Sequence, residues 1–301
     1  MKLFVTLFFL LILSCKPAGP PRAIKEPRPP DQELTDLSRF LAGRMETTVP
    51  GWPVQEPGYA YHRHNMQNLR SRMEAVHASQ IRPWRDEHLA AASETVLYFF
   101  SGVDWLNLSL FFPDARRYIM ISLEEPGEIP DVRAMAPYER NHALLRLYGS
   151  IATLADYNYL MTQNMRRQLA TNSLRGVKGV ILMQMGLKEQ ELVALERVRL
   201  KRDGSLQPTA EATRYIAPYA LMALQKNPDH EPEGLRFVFR NPGEKEEREL
   251  LFLRLWISDD LLNESTATNT FLRGLASFCY MLKSASYFLH QIGRASCRER
   301  V

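Results

Sequence analysis

Two short apolar runs, about 17 residues apart, constrain the fold of this chain more than any other feature of its sequence. The first is Val96–Phe100 and the second is Tyr118–Leu123. Each run is short enough to be a buried strand, and residues 105–112 between them fit one short helix. A strand, a helix and a strand in this order predict a parallel, right-handed crossover at about 96–123. The chain is therefore expected to fold as an α/β protein.

The rest of the sequence extends this unit into a mixed sheet with flanking helices. Leu235–Arg240 and Glu249–Ile257, joined through a turn, predict an antiparallel hairpin at about 235–257. Residues 31–43 and 59–92 carry apolar residues at helical spacing, so the N-terminal third is expected to be helical, with a break at Pro83.

Four further segments carry patterns of regular structure. Residues 138–161 and 209–226 are predicted to be helical, residues 177–187 form a helix or a strand, and Glu191–Leu200 reads as a strand before a turn. Thr270–His290 predicts a final apolar helix that includes Cys279.

The N-terminus is typical of a secreted bacterial protein. Lys2 precedes the apolar run Leu3–Leu13, whose 11 residues are too few to span about 30 Å of hydrocarbon. The sequence Ile12-Leu13-Ser14-Cys15 resembles the lipobox of bacterial lipoproteins. The resemblance implies that residues 1–14 are a signal peptide, that Cys15 is acylated, and that the lipid bilayer is a partner at the periplasmic face or the cell surface. An ordinary signal peptide with a chance cysteine, or an uncleaved anchor, are the alternatives.

Three parts follow the signal peptide. Residues 15–33 comprise the lipidated cysteine and a Pro-rich tether, and residues 34–290 are expected to form a single α/β domain. Residues 292–301 resemble one translated frame of a sequencing-library adapter, so 291–301 are expected to be a non-native tail on a domain truncated at its C-terminus. The alternative is a basic C-terminal tail with a free thiol.

Charge and cysteine content exclude several classes of protein. Residues 15–290 hold 34 basic against 33 acidic residues, which does not favour binding of nucleic acid. Apart from the tail, the cysteines are Cys15 and Cys279, so no intrachain disulfide is expected once Cys15 is acylated.

Several short motifs resemble a family of uncharacterised, often exported bacterial proteins. They are Tyr98-Phe99-Phe100-Ser101-Gly102-Val103-Asp104, Phe111-Phe112-Pro113, Leu123-Glu124-Glu125-Pro126-Gly127, Thr162 to Met165 and Lys283–His290. The family's strand end reads Leu-Glu-Pro-x-Gly, so Glu125 is an additional residue here. The likeness extends over about residues 59–290 and implies one shared fold without an established activity.

Four residues follow the first two predicted strands: Ser101, Gly102 and Asp104 after one, and Glu124 after the other. The carboxyl ends of neighbouring parallel strands lie at one edge of a sheet, where α/β proteins bind ligands in crevices. Asp104 can accept a hydrogen bond from a hydroxyl or hold a cation, Glu124 can contact a sugar hydroxyl, and Gly102 lets a ligand approach the backbone. Equally, Ser101 or Asp104 can cap the next helix, Gly102 can serve a turn and Glu124 can be solvated.

No motif for nucleotide binding or serine hydrolysis is found in the sequence. His62 and His64 offer two metal ligands without an evident third, so neither a metal nor a cofactor is expected. The leading hypothesis is a membrane-anchored binding or envelope-associated protein, with a small molecule or an envelope protein as partner. The alternative is an enzyme acting on a nucleotide- or sugar-like ligand near Ser101, Asp104 and Glu124.

Overall fold

A computed structural model describes ten segments of the chain: residues 28–46, 49–89, 94–99, 103–157, 173–211, 216, 218–227, 229–257, 266–275 and 278–282. The lipobox with most of the tether, Ser101, Gly102, the motif from Thr162 to Met165, and the residues from 283 onward lie outside these segments.

Seven strands in the described residues form one mixed sheet, which confirms the predicted α/β class. The sheet has the order β4-β3-β5-β6-β2-β1-β7, in which β6, β2, β1 and β7 run parallel and the other neighbours pair antiparallel. The strands are β1 Thr95–Phe99, β2 Arg117–Ser122, β3 Glu191–Leu200, β4 Leu206–Pro208, β5 Glu233–Arg240, β6 Arg248–Arg254 and β7 Cys279–Leu282.

The helices lie mainly in the N-terminal half of the chain, as the apolar spacing there predicts. They are α1 Gln32–Leu41, α2 Pro57–Arg72, a π-helical segment Met73–Ala78, α3 Ser79–His88, α4 Trp105–Phe111, α5 Pro137–Tyr157, α6 Val177–Leu187, α7 Pro218–Gln225 and α8 Thr266–Arg273. Within the described residues, no helix has the length and apolar content needed to cross a membrane.

The predicted crossover is present as β1, α4 and β2, with Phe99 opposite Ile121 in the parallel register. Successive residues of a strand point to opposite faces, so β2 contributes to two apolar clusters. Tyr118 and Met120 enter the larger cluster, beneath α1, α2, α4, α5 and α6, whereas Ile119 and Ile121 enter a smaller one with α8. The predicted hairpin is also confirmed, because β5 and β6 pair antiparallel.

The predicted break at Pro83 is wrong. The chain stays helical from Pro57 to His88, and Pro83 lies in the second turn of α3. Proline removes the hydrogen bond that a residue here would donate to the Ser79 carbonyl. Pro83 is exposed, so water can replace that donor.

The predicted final helix, Thr270–His290, is helical over Thr270–Arg273 and wrong over Cys279–Leu282. Helix α8 ends at Arg273, and Cys279–Leu282 form strand β7 along the outer edge of β1, with Val96 opposite Cys279. An unpaired strand edge offers a row of backbone donors and acceptors, and pairing with it outweighs the local helical periodicity. Cys279 is therefore a partly exposed residue of an edge strand. The predicted helix at 209–226 is shorter than expected as well, since Pro218 begins α7 rather than interrupting a helix.

Candidate functional site

Asp104 occupies the N-cap position of α4, but its side chain makes no capping hydrogen bond to the helix. It is only 1% exposed, and its carboxylate accepts hydrogen bonds from the Tyr98 hydroxyl at 3.1 Å and from Asn107 Nδ2 at 3.0 and 3.2 Å. The residue thus ties the first strand of the crossover to its helix.

Glu124, the other described member of the predicted site, follows the end of β2 and is half-buried. Its Oε2 atom is buried and has no hydrogen-bond partner in the described part of the chain, and the same holds for Ser122 Oγ. Arg254 pairs with Ser122 in register and forms an ion pair with Glu233 at 3.0 Å. The Asp104 carboxylate thus belongs to a hydrogen-bonded network with Tyr98 and Asn107.

His62 and His64 do not share a site. The buried His62 donates from Nε2 to the Leu41 carbonyl at 2.8 Å, while His64 Nε2 contacts Asn68. Burial lowers the pKa of His62 to about 4, against a smaller opposing effect of the Leu41 hydrogen bond. Among the described residues, no group of three or more His, Cys, Asp or Glu side chains is placed to hold a metal ion.

A small pocket that the sequence analysis missed lies at the amino-terminal end of β2, and we call it the Lys188 pocket. Its volume is about 230 Å³. It is lined by Ser109, Pro113, Tyr118, Lys188, Gln190, Asn241 and Pro242. Residues from five separate parts of the chain meet there, so no local motif reveals it.

The end of α6 fixes the backbone beside this pocket. Gln190 N donates to the Met185 carbonyl and Glu189 N to the Gly186 carbonyl, both at 3.1 Å. This is a Schellman-type ending, and Glu189 takes the left-handed position at φ 59° that glycine usually occupies. The ending places Lys188 and Gln190 together in the pocket lining.

Hydrogen bonds orient the polar side chains of the Lys188 pocket. Gln190 accepts from Trp105 Nε1 and donates to Asn241 Oδ1, both at 2.9 Å. The Ser109 hydroxyl donates to the Trp105 carbonyl at 2.8 Å. Ser109, Tyr118 and Gln190 are each at least 95% buried, so the pocket has rigid polar walls.

Lys188 differs from these neighbours. Within the described segments no hydrogen bond or ion pair engages its ammonium. Burial, with a smaller contribution from the charges of Arg82 and Arg248, lowers the pKa of Lys188 to about 8. Glu74 opposes this shift, but its carboxylate is already paired with Arg82.

A larger hollow of about 450 Å³ lies between the segment that follows α1 and helix α2, with Leu187 at the end of α6 in its lining. Arg44, Arg63 and Arg70 line it together with Glu46. Glu189 contacts two of these arginines, Arg44 at 2.5 Å and Arg70 at 3.7 Å, and so neutralises part of the positive charge.

No protein-family model, no curated protein and no solved structure matches this chain in the comparisons. Its function is therefore inferred from its own residues and their arrangement.

Proposed function

We propose that the chain is an exported lipoprotein, anchored through acylated Cys15, whose α/β domain binds a ligand and does not catalyse a reaction. The sequence Ile12-Leu13-Ser14-Cys15 after an apolar run carries this proposal. Complete processing would attach three acyl chains, which exceeds the two signals needed for stable membrane anchoring.

The contacts at the start of the domain support a tether that holds the domain at a distance from the membrane. Arg28 donates to Glu247 from its backbone N at 3.0 Å and from its side chain at 2.9 Å. Asp31 N then donates to the Leu192 carbonyl at 2.8 Å. The described contacts with the domain thus begin at Arg28. We propose the preceding Pro-rich residues 16–27 as the tether, and 12 residues in polyproline II form would span about 37 Å.

The surroundings of Asp104 support binding over catalysis. An acid or base in catalysis must reach its substrate. The Asp104 carboxylate is instead enclosed with Tyr98 and Asn107, an arrangement typical of a structural network. The two hollows beside the α6 end, in contrast, are lined by polar and charged side chains suited to holding a ligand.

The enzymatic alternative is favoured by one observation, the pair of buried and unpartnered atoms Ser122 Oγ and Glu124 Oε2 at the end of β2. Buried polar atoms of this kind are rare and often mark a missing partner. Thermal melts with a panel of nucleotides and sugars test this alternative. A stabilisation that is lost in Glu124→Gln would support it, and an unchanged melting temperature throughout would argue for the binding role elsewhere.

The anchor is tested by replacing its cysteine. In a bacterial expression host, Cys15→Ala should abolish labelling by an alkyne fatty acid, because the only proposed acceptor is lost. It should also move the protein out of the detergent phase, or leave it as an uncleaved precursor. Cys279→Ala is the matched control and should behave as the parent chain does. Unchanged labelling and partitioning of Cys15→Ala would refute the proposal.

A further inference from the structure

We propose that the Lys188 pocket binds a small oxyanion, a carboxylate or a phosphate group, through the Lys188 ammonium. The pocket lies apart from the predicted site at the strand ends, and the inference does not depend on the lipid anchor.

The state of Lys188 indicates a missing partner. Lys188 is half-buried and lines the pocket, yet no described residue supplies its ammonium with a hydrogen bond or a carboxylate. A charge that is partly removed from water is unfavourable unless it is paired. A bound anion would supply that pair.

The carboxylate whose charge acts on Lys188, that of Glu74, is committed to an arginine, and so is that of Glu244. Glu74 pairs with Arg82 through both oxygens. Glu244 receives Arg248 Nη2 at 2.9 Å and Nε at 3.1 Å. Arg82 and Arg248 thus each have a carboxylate partner, whereas Lys188 lines a pocket and has none among the described residues.

The remaining lining fits an anion. Gln190 Nε2 uses one N–H on Asn241 and has a second that an anion can accept. The Ser109 and Tyr118 hydroxyls donate to the Trp105 and Phe112 carbonyls and complete the wall of the pocket. The volume of about 230 Å³ lies below the range of about 300–1,000 Å³ found for drug-sized ligands. The pocket therefore suits a small ion or the acidic end of a larger ligand.

Binding of this kind must depend on pH. The charged groups that act on Lys188 are Arg82 and Glu74 from the α2–α3 side and Arg248 from the sheet side. Tyr118 shares the pocket lining, and the charges of Asp114 and Glu244 act on Tyr118. Burial raises the pKa of Tyr118 far above neutrality, and the hydrogen bond from Arg82 lowers the pKa of Glu74. Lys188, in contrast, has a pKa of about 8. Affinity should fall about tenfold for each pH unit above its pKa of about 8.

The test uses the full-length chain in a detergent with uncharged headgroups. Sodium acetate and inorganic phosphate are titrated separately at pH 7, with sodium chloride at matched ionic strength as the reference. Binding is followed through the NMR signals of the lysine side chains and through the melting temperature. Saturable binding of acetate alone assigns the pocket to carboxylates, and binding of phosphate alone assigns it to phosphate groups.

Three variants decide the outcome. Lys188→Met should weaken binding by roughly 10- to 100-fold, because a charge-assisted hydrogen bond is lost. Lys188→Arg, which keeps the charge, should bind within a few-fold of the parent, and the exposed Lys226→Met should bind unchanged. The acetate affinity of the parent should decline above pH 8, a dependence that a purely structural lysine would not produce. Absence of saturable binding of either anion, or equal binding by the parent and Lys188→Met, would overturn the proposal.

Discussion

At the scale of single residues, one buried and one partly buried histidine make the stability of this fold depend on pH. His62 of α2 donates to the carbonyl of Leu41 at the end of α1, a hydrogen bond that the neutral imidazole can make. His230 is also partly buried, and burial, reinforced by Arg199 and Arg254, lowers its pKa. Both histidines must take up a proton at a cost when the folded chain is acidified, so they oppose folding at low pH.

His62 gives a prediction with a defined pH window. The pKa of His62 is about 4 in the folded chain and about 6.5 in the unfolded chain. The full stability of the fold with neutral His62 is therefore present above pH 6.5. As the pH falls from 6.5 to about 4, the unfolded chain takes up a proton at His62 before the folded chain does, and the free energy of unfolding falls by about 3 kcal/mol. His62→Gln cannot titrate, so its free energy of unfolding should decline less over this window. Urea denaturation at several pH values measures the difference, and parallel pH profiles of parent and variant would contradict it.

A second prediction concerns the network around Asp104. Tyr98→Phe removes the hydroxyl that donates to the buried carboxylate, which should lower the free energy of unfolding by about 1–3 kcal/mol. Tyr138 is 82% exposed, so Tyr138→Phe should change stability by less than about 0.5 kcal/mol. Denaturant titration compares the two variants. Equal effects would show that the network contributes little.

At the scale of elements, short local signals explain which parts of the fold were predictable. The β1-α4-β2 crossover and the β5–β6 hairpin each depend on apolar runs and turns that are close in sequence. Strand β7 was not predictable, because its pairing with β1 joins residues about 180 positions apart while its own sequence is apolar at helical spacing. The helix through Pro83 was not predictable either, because a proline is tolerated in a helix only where the freed carbonyl meets water, and exposure is not visible in the sequence.

Two glycines of α6 give a matched test of helix packing. A methyl group at Gly186 would lie 2.1 Å from the Ser38 carbonyl oxygen of α1, whereas one at Gly179 meets nothing closer than 3.7 Å. Gly186→Ala should therefore destabilise the fold by about 1–3 kcal/mol. Gly179→Ala should stabilise it by up to about 1 kcal/mol, because alanine favours a helix over glycine. Thermal melts of both variants decide the point, and a shift of the same sign in both would refute the described packing of α1 on α6.

At the scale of the whole molecule, the fold brings together residues that the sequence keeps apart. The Lys188 pocket needs Ser109, Tyr118, Lys188 and Asn241 in one place, and only the assembled sheet and helices achieve this. The predicted site at the strand ends was more accessible to sequence reasoning, because parallel strands present their ends at one edge. Of its members, Asp104 is hydrogen-bonded to Tyr98 and Glu124 has a buried oxygen without a described partner, whereas Ser101 and Gly102 fall outside the described residues.

The central claim, a binding domain held at a membrane by lipid, concerns the covalent state of one residue. The most direct measurement is mass spectrometry of the N-terminal peptide of the protein extracted from bacterial membranes. The account predicts a peptide that begins at Cys15 and carries a diacylglyceryl group on the thiol and an acyl group on the amine. A peptide that begins at Met1, or one in which cleavage elsewhere leaves Cys15 with a free thiol, would contradict it.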